Sequence, residues 1–350
     1  MNRREKILII IKEALPALLK IQDISDSETK GCFYPNIKTD ADYCNARWQE
    51  GVLTIAWALK NNLIKNRAEA INRINSGINF LFKLQNKNGS FPEYTKKDVS
   101  FAASAFISLA LAKTFNILYE SGEENAISKE WMEGLKKCLM WLKKEDEIVY
   151  YNQESAAGAA LILADRFFQE ENFKHYGEEK IEKVIEKQKG YYPEKKGFDL
   201  GYSSLTLEHL GFIYLEGHMQ ETIIKSAEKY NEFILSNDVT KLKNTRNTKW
   251  AILDGFEIFS NKTRNGKEAL KKILGFDINL DHLEDNLNLC TDLYRLCFAY
   301  EHVTLMPDYN IKLKRFNPKD YKGRNIKLLN PFRRIGLHRI RRFLTMTKVF

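Results

Sequence analysis

The sequence predicts an all-α chain of six helical hairpins that close into a ring. Three observations carry this. Apolar residues recur at helical spacing nearly throughout, and hardly any stretch alternates with period two. Polar amphipathic segments alternate with segments that are apolar or small on most faces. A short unit of an aromatic or Leu residue, then Gln, Gly and a further aromatic recurs along the chain.

The clearest copy of the unit lies within Ser76 to Ala112. An amphipathic helix ends at Leu84-Gln85, the turn Asn86-Lys87-Asn88-Gly89 follows, and Phe91-Pro92-Glu93 precedes a helix rich in Ala and Ser. Physically, Gln can bond the end of its helix or the next turn. Gly supplies a φ > 0 step, and Phe plugs the seam. Leu18 to Gln22 with Gly31-Cys32-Phe33-Tyr34-Pro35 is a second copy, and Val184 to Gln188 with Gly190-Tyr191-Tyr192-Pro193 a third. A degenerate copy runs from Cys138-Leu139-Met140-Trp141-Leu142 into Tyr150-Tyr151-Asn152.

Six polar outer helices are expected at 4–22, 67–85, 129–144, 178–188, 220–236 and 266–274. Each has an apolar stripe backed by Lys and Glu. Six apolar inner helices are expected at 48–59, 100–112, 154–164, 202–214, 248–259 and 288–300, their starts 40 to 54 residues apart. Such pairs suggest an (α/α)6-type toroid over residues 1–310, inner helices around an axis and outer helices shielding them. An open solenoid is the alternative, though solenoid repeats are shorter and more regular.

At 350 residues the chain can bury a large core. Its five cysteines are scattered without a CxxC pair, which suggests reduced thiols and no structural zinc. The apolar run Ile7 to Ile11 is broken by Lys12-Glu13, so the N-terminus reads as an amphipathic helix rather than a signal peptide. No uninterrupted apolar run approaches a membrane span, and a cytoplasmic location is expected. The net charge of +9 is unevenly held: residues 311–350 carry 13 Lys/Arg against one acid, leaving the remainder at −3.

The aromatic-Leu-x-x-x-Gln-Gly-x-aromatic unit resembles the repeat of the terpenoid-cyclase and prenyltransferase-like α/α-toroid superfamily. Longer strings resemble toroid proteins of bacterial surface-polysaccharide loci. They are Ala46 to Gly51, Ile78-Asn79-Phe80 through Phe91, Ser100 to Phe106, and Asp199 to Leu207. Alginate- and heparin-lyase-like toroids share the architecture. The resemblance implies carbohydrate chemistry, in the assembly of capsule, lipopolysaccharide or another surface glycan. A glycan-binding or assembly protein without catalysis is the alternative, and a terpenoid-cyclase-like enzyme a third, since one fold hosts many activities.

The topology predicts a mouth. Loops from outer to inner helices open on one end of the ring, so residues at the inner-helix starts should line it. Candidate catalytic residues there are Glu50, Asn152, Tyr202, Arg246 and His282. Candidate substrate-binding residues are Arg47, Trp48, Gln49, Asp98, Gln153, Asp199, Asn247 and Trp250. Aromatic faces beside amides and carboxylates suit hydroxyl-rich ligands, and two arginines suit acidic sugars. Asp, Ser, Asn and Thr at such positions are also ordinary N-caps. A hydrolase needs two carboxylates across the bond, drawn from Glu50, Asp98, Glu154, Glu194 and Asp199. A lyase or epimerase needs a neutraliser and a base. His209 is expected to be buried midway along its helix. The chain has no Asp-x-Asp-Asp acid motif, no convincing Asp/Cys/His zinc trio, no phosphate-cradling glycine loop, no GxSxG and no HExxH; no cofactor or metal is expected.

The tail segment 330–350 reads as a short basic helix with Leu337, Ile340, Phe343 and Leu344 as an imperfect stripe. It suits an anionic membrane surface or the acidic body of the protein itself. Nucleic acid is disfavoured, because no recognised binding module accompanies it. The partner expected for the body is a carbohydrate or lipid-linked glycan.

Overall fold

The computed structural model describes residues 2–34, 45–95, 97–195, 197–239, 242, 251–275 and 286–304. Among them are twelve α-helices and no strand; the only extended pairing is isolated bridges such as Gln22 with Phe33 and Phe91 with Ser100. The chain is all-α. The odd-numbered helices are α1 (Arg3–Ile21), α3 (Arg67–Lys83), α5 (Lys129–Leu142), α7 (Phe173–Glu186), α9 (Gln220–Ser236) and α11 (Gly266–Gly275). The even-numbered ones are α2 (Gly51–Lys60), α4 (Phe101–Glu120), α6 (Tyr151–Ala164), α8 (Leu200–Leu215), α10 (Leu253–Phe259) and α12 (Asn286–His302).

The two sets bury themselves differently, as their sequences require. Helix α5 buries Trp131, Leu135, Cys138, Leu139 and Leu142, a single stripe at i, i+4, i+7, i+8 and i+11. All seven residues of α10 are buried, and so is every residue of α6 from Glu154 to Ala164. A helix apolar on every side must have neighbours on every side. Helix α4 has the length and apolarity of a membrane span, yet 89% of that window is buried inside the fold.

The even-numbered helices contact one another in a cycle: α2 with α4, α4 with α6, and so on to α12, which returns to α2. Trp57 of α2 marks this last junction by donating to Glu301 of α12 (2.8 Å). Each odd-numbered helix packs on the even-numbered helix before it: α3 on α2, α5 on α4, α7 on α6, α9 on α8 and α11 on α10, and α9 and α11 also pack closely on each other. Helix α1 packs on α12, so the first described helix covers the last described one. Sequence order suggested outer-then-inner pairs, whereas the packed pairs run inner-then-outer. The reason is loop length. The connections after inner helices are short, four residues between Leu215 and Gln220 for instance, and short links force antiparallel neighbours. A clasp at the closure joins Arg3 Nη2 to Glu257 (2.8 Å) and to the Thr304 carbonyl (2.7 Å). Ser260 and Thr304 meet beside it through their hydroxyls.

The repeated Gln is the fastener between successive outer helices. Gln85 Nε2 donates to the carbonyls of Gly89 (2.9 Å) and of Gly134 on α5 (2.8 Å). Gln22 Nε2 reaches Gly31 (3.3 Å) and Arg73 on α3 (2.8 Å), and Gln188 Nε2 reaches Ser226 on α9 (2.9 Å). Gly89 has φ +94° and lies so close to α5 that a Cβ would overlap the Lys137 carbonyl; Gly31, at φ +95°, sits the same way against Ser76 of α3. Phe91 is fully buried beneath this turn, its ring 6.2 Å from that of Phe82.

Candidate functional site

Even-numbered helices that are buried all round still carry a few charged residues, and several of these meet across α8, α12 and the turn before α2. Arg295 of α12 binds Glu208 of α8 through Nε (2.8 Å to Oε2) and Asp292 through Nη1 (2.8 Å). Its guanidinium lies 4.5 Å from the Tyr294 ring centroid. The Tyr294 hydroxyl donates to Glu50 Oε2 (3.4 Å), and Glu50 Oε1 accepts from Arg47 Nε (2.8 Å). Arg47 stacks 4.1 Å above Phe106 of α4, and His209 of α8 packs against the same ring at 5.6 Å. Asp254 of α10 joins the group because Gly255 lets α10 touch the α8 backbone; a Cβ there would lie 2.7 Å from the Glu208 nitrogen.

Burial sets the electrostatics. It pushes the Glu208 carboxyl up to about 7 against the opposing pull of Arg295. Asp254 rises well above the usual carboxylate range, first from burial and then from the neighbouring Glu208. Burial, followed by the charges of Arg295 and Arg47, holds His209 well below the usual imidazole value. Burial alone would lower Arg47, but Glu50 more than offsets it and keeps the guanidinium charged. Further along the inner helices, Lys113 of α4 rests its ammonium over Phe212 (3.9 Å) and Phe298 (4.4 Å).

Four of these groups keep a buried polar atom with no hydrogen-bond partner in the protein: Glu208 Oε1, His209 Nε2, Asp254 Oδ2 and Arg295 Nη2. Such atoms are costly to bury alone, and they belong to helices that meet at one place. The arrangement sets two arginines, each already bonded to a carboxylate, beside carboxyls poised to hold protons and a neutral imidazole. No set of three His, Cys, Asp or Glu side chains among the described residues is placed to hold a metal ion.

Of the residues expected at the mouth, Arg47 and Glu50 belong to this cluster. Others serve the scaffold. Trp48 is buried edge-on to Tyr34, and buried Gln49 accepts from the Phe33 amide (3.1 Å). Asp98 clamps its own loop by accepting from the amides of Tyr94 and Thr95. Asn152 ties α6 to the next repeat through Glu194 (2.8 Å). Asp199 caps α8 by accepting from the Tyr202 amide (3.1 Å). Glu154 forms a buried ion pair with Lys180 of α7 (2.9 Å) and accepts from the Glu147 amide (2.8 Å). Gln153 and Tyr202 are half-buried at the starts of α6 and α8. Arg246, Asn247, Trp250 and His282 lie outside the described residues.

Reading only the inner-helix starts misses Glu208, Asp254 and Arg295. A signal for them exists. Glu208 in Leu205-Thr206-Leu207-Glu208-His209-Leu210, and Arg295 in Leu293-Tyr294-Arg295-Leu296-Cys297, are charges within helices apolar on most faces. A charge there cannot reach solvent from any face and must find partners inside.

No protein-family model matches the chain, and no curated protein is significantly similar to it.

Proposed function

We propose that the chain is an (α/α)6-type toroid that takes an acidic sugar of a surface glycan into its axis. There it performs a proton-transfer reaction of the lyase, epimerase or hydrolase kind. The observation that carries this reading is the set of partnerless buried atoms on Glu208, His209, Asp254 and Arg295, gathered where α8, α10 and α12 meet. The cycle of inner-helix contacts supports the toroid. A polyhydroxylated ligand would satisfy the partnerless atoms. Its carboxylate would face Arg47 and Arg295, and the protonated carboxyls of Asp254 and Glu208 are suited to act as acids.

The aromatic faces near the axis weigh against a terpenoid-cyclase reading. Phe106, Phe212 and Phe298 already carry the cations of Arg47 and Lys113. The basic run Arg333 to Arg342 gives the protein an electrostatic route to an anionic membrane surface, where lipid-linked glycans are assembled.

Incubation with uronate-containing glycans and their neutral counterparts, with products read by mass spectrometry and proton NMR, tests the reading. An unsaturated uronate identifies a lyase, an inverted C5 centre an epimerase, and added water a hydrolase. Asp254→Asn should abolish the product while leaving the helical circular dichroism intact. Unchanged turnover in that variant would place the chemistry elsewhere.

A further inference from the structure

His209 and Ser155 form a pair that the scaffold does not require. Both are fully buried, on α8 and α6, and Ser155 Oγ lies 2.8 Å from His209 Nδ1. Ser155 Oγ also donates to the Asn152 carbonyl at 3.0 Å. A carbonyl only accepts, so when both contacts are made as hydrogen bonds the single hydroxyl proton goes to Asn152. The remaining contact is then satisfied by a proton on Nδ1, donated to Oγ. The opposite ring nitrogen, Nε2, keeps its lone pair and has no protein partner.

The imidazole stands beside Phe106, the ring on which Arg47 stacks at 4.1 Å and whose centroid Arg295 approaches to 6.0 Å. Burial, and then those cations, keep it uncharged, so the lone pair is available at neutral pH. A free histidine favours the other tautomer, and the partner at one ring nitrogen decides what the second can do.

We infer that Ser155 is a positioning residue that fixes His209 in the Nδ1–H form, making Nε2 the proton acceptor of the axial site for a hydroxyl or an acidic C–H proton of the bound sugar. The ligand half of this inference rests on the proposed sugar-acid function. The tautomer half rests on the contacts of Ser155 alone.

Two-bond ¹H–¹⁵N correlation spectra of the full chain, labelled at histidine, separate the two halves. The free protein should show the Nδ1–H pattern for His209, assigned by its loss in His209→Gln. Ser155→Ala should convert it to the Nε2–H pattern and lower turnover by about tenfold or more. A uronate oligosaccharide at saturating concentration should shift the Nε2 resonance. An Nε2–H pattern in the free wild type would overturn the assignment, even if Ser155→Ala failed to fold. An unmoved Nε2 resonance in a protein that binds the oligosaccharide would overturn the acceptor role and leave the proposed function standing. Absence of binding would overturn the proposed function and the acceptor role together, leaving the tautomer to be judged from the free protein.

Discussion

Replacing Gly89 by Ala should destabilise the protein far more than the same change at Gly122, and the structure gives the difference. Both glycines have positive φ, +94° and +71°, so each substitution carries a backbone cost of about 1–2 kcal/mol. At Gly122 nothing lies within 4 Å of the added methyl, and the cost ends there. At Gly89 the methyl overlaps the Lys137 carbonyl of α5, so the turn must lift off its neighbour. Lifting it would break the bonds that Gln85 makes to Gly89 and Gly134, each worth about 1 kcal/mol, and would expose part of Phe91. The total for Gly89→Ala is on the order of 3–5 kcal/mol. Urea unfolding with a shared m-value measures both variants. Equal losses would refute the idea that the Gln–Gly turn fastens one outer helix to the next.

Other expectations follow from the same contacts. Lys180→Met leaves Glu154 buried with only the Glu147 amide, and should cost about 3–5 kcal/mol in urea unfolding; adding Glu154→Gln should recover part of the loss. Burial and then Lys113 hold His302 at about 4, below its usual value, so the unfolded chain binds its proton first. Stability should therefore fall by up to about 2–3 kcal/mol as pH drops from 6.5 towards 4, and a His302→Gln variant should lack that part of the profile. Deleting residues 330–350 should abolish co-sedimentation with anionic vesicles and leave neutral vesicles unaffected; unchanged binding would remove the membrane role.

The fold was legible because its determinants are periodic. The stripe on α5, the all-round apolarity of α6 and α10, and the Gln–Gly–aromatic turns are local patterns, and they placed the helix ends to within five residues, except that α4 runs on to Glu120, eight residues beyond the expected end at 112. Boundaries slipped where a 3₁₀ turn intervened, as at Ala46–Glu50 before α2. Which hairpin partner packs against which inner helix was not legible, since that depends on loop length and on α1 returning to α12. The site was half legible. Arg47 and Glu50 were among the residues expected at the helix starts, and both reach the buried cluster. Asp98, Asp199 and Glu154 occupied equivalent positions, yet their carboxylates are taken up by a loop, a cap and a lysine. Nothing local distinguishes these outcomes. Glu208, Asp254 and Arg295 stand 40 or more residues apart in sequence, and only the tertiary packing of α8, α10 and α12 brings them together.

The proposed function requires the buried cluster around Arg47 and Arg295 to recognise the acid group of a sugar. Isothermal titration of one uronate oligosaccharide and its carboxyl-reduced counterpart, against wild type and Arg47→Met, tests it most directly. Arg47 holds Glu50 through Nε and stacks on Phe106, and the proposed function gives the rest of its guanidinium fork to the sugar carboxylate. The account predicts that wild type binds the uronate at least about tenfold more tightly than the reduced sugar, and that Arg47→Met loses this preference. Equal affinity for the two sugars in wild type, or a preference that survives in Arg47→Met, would contradict it.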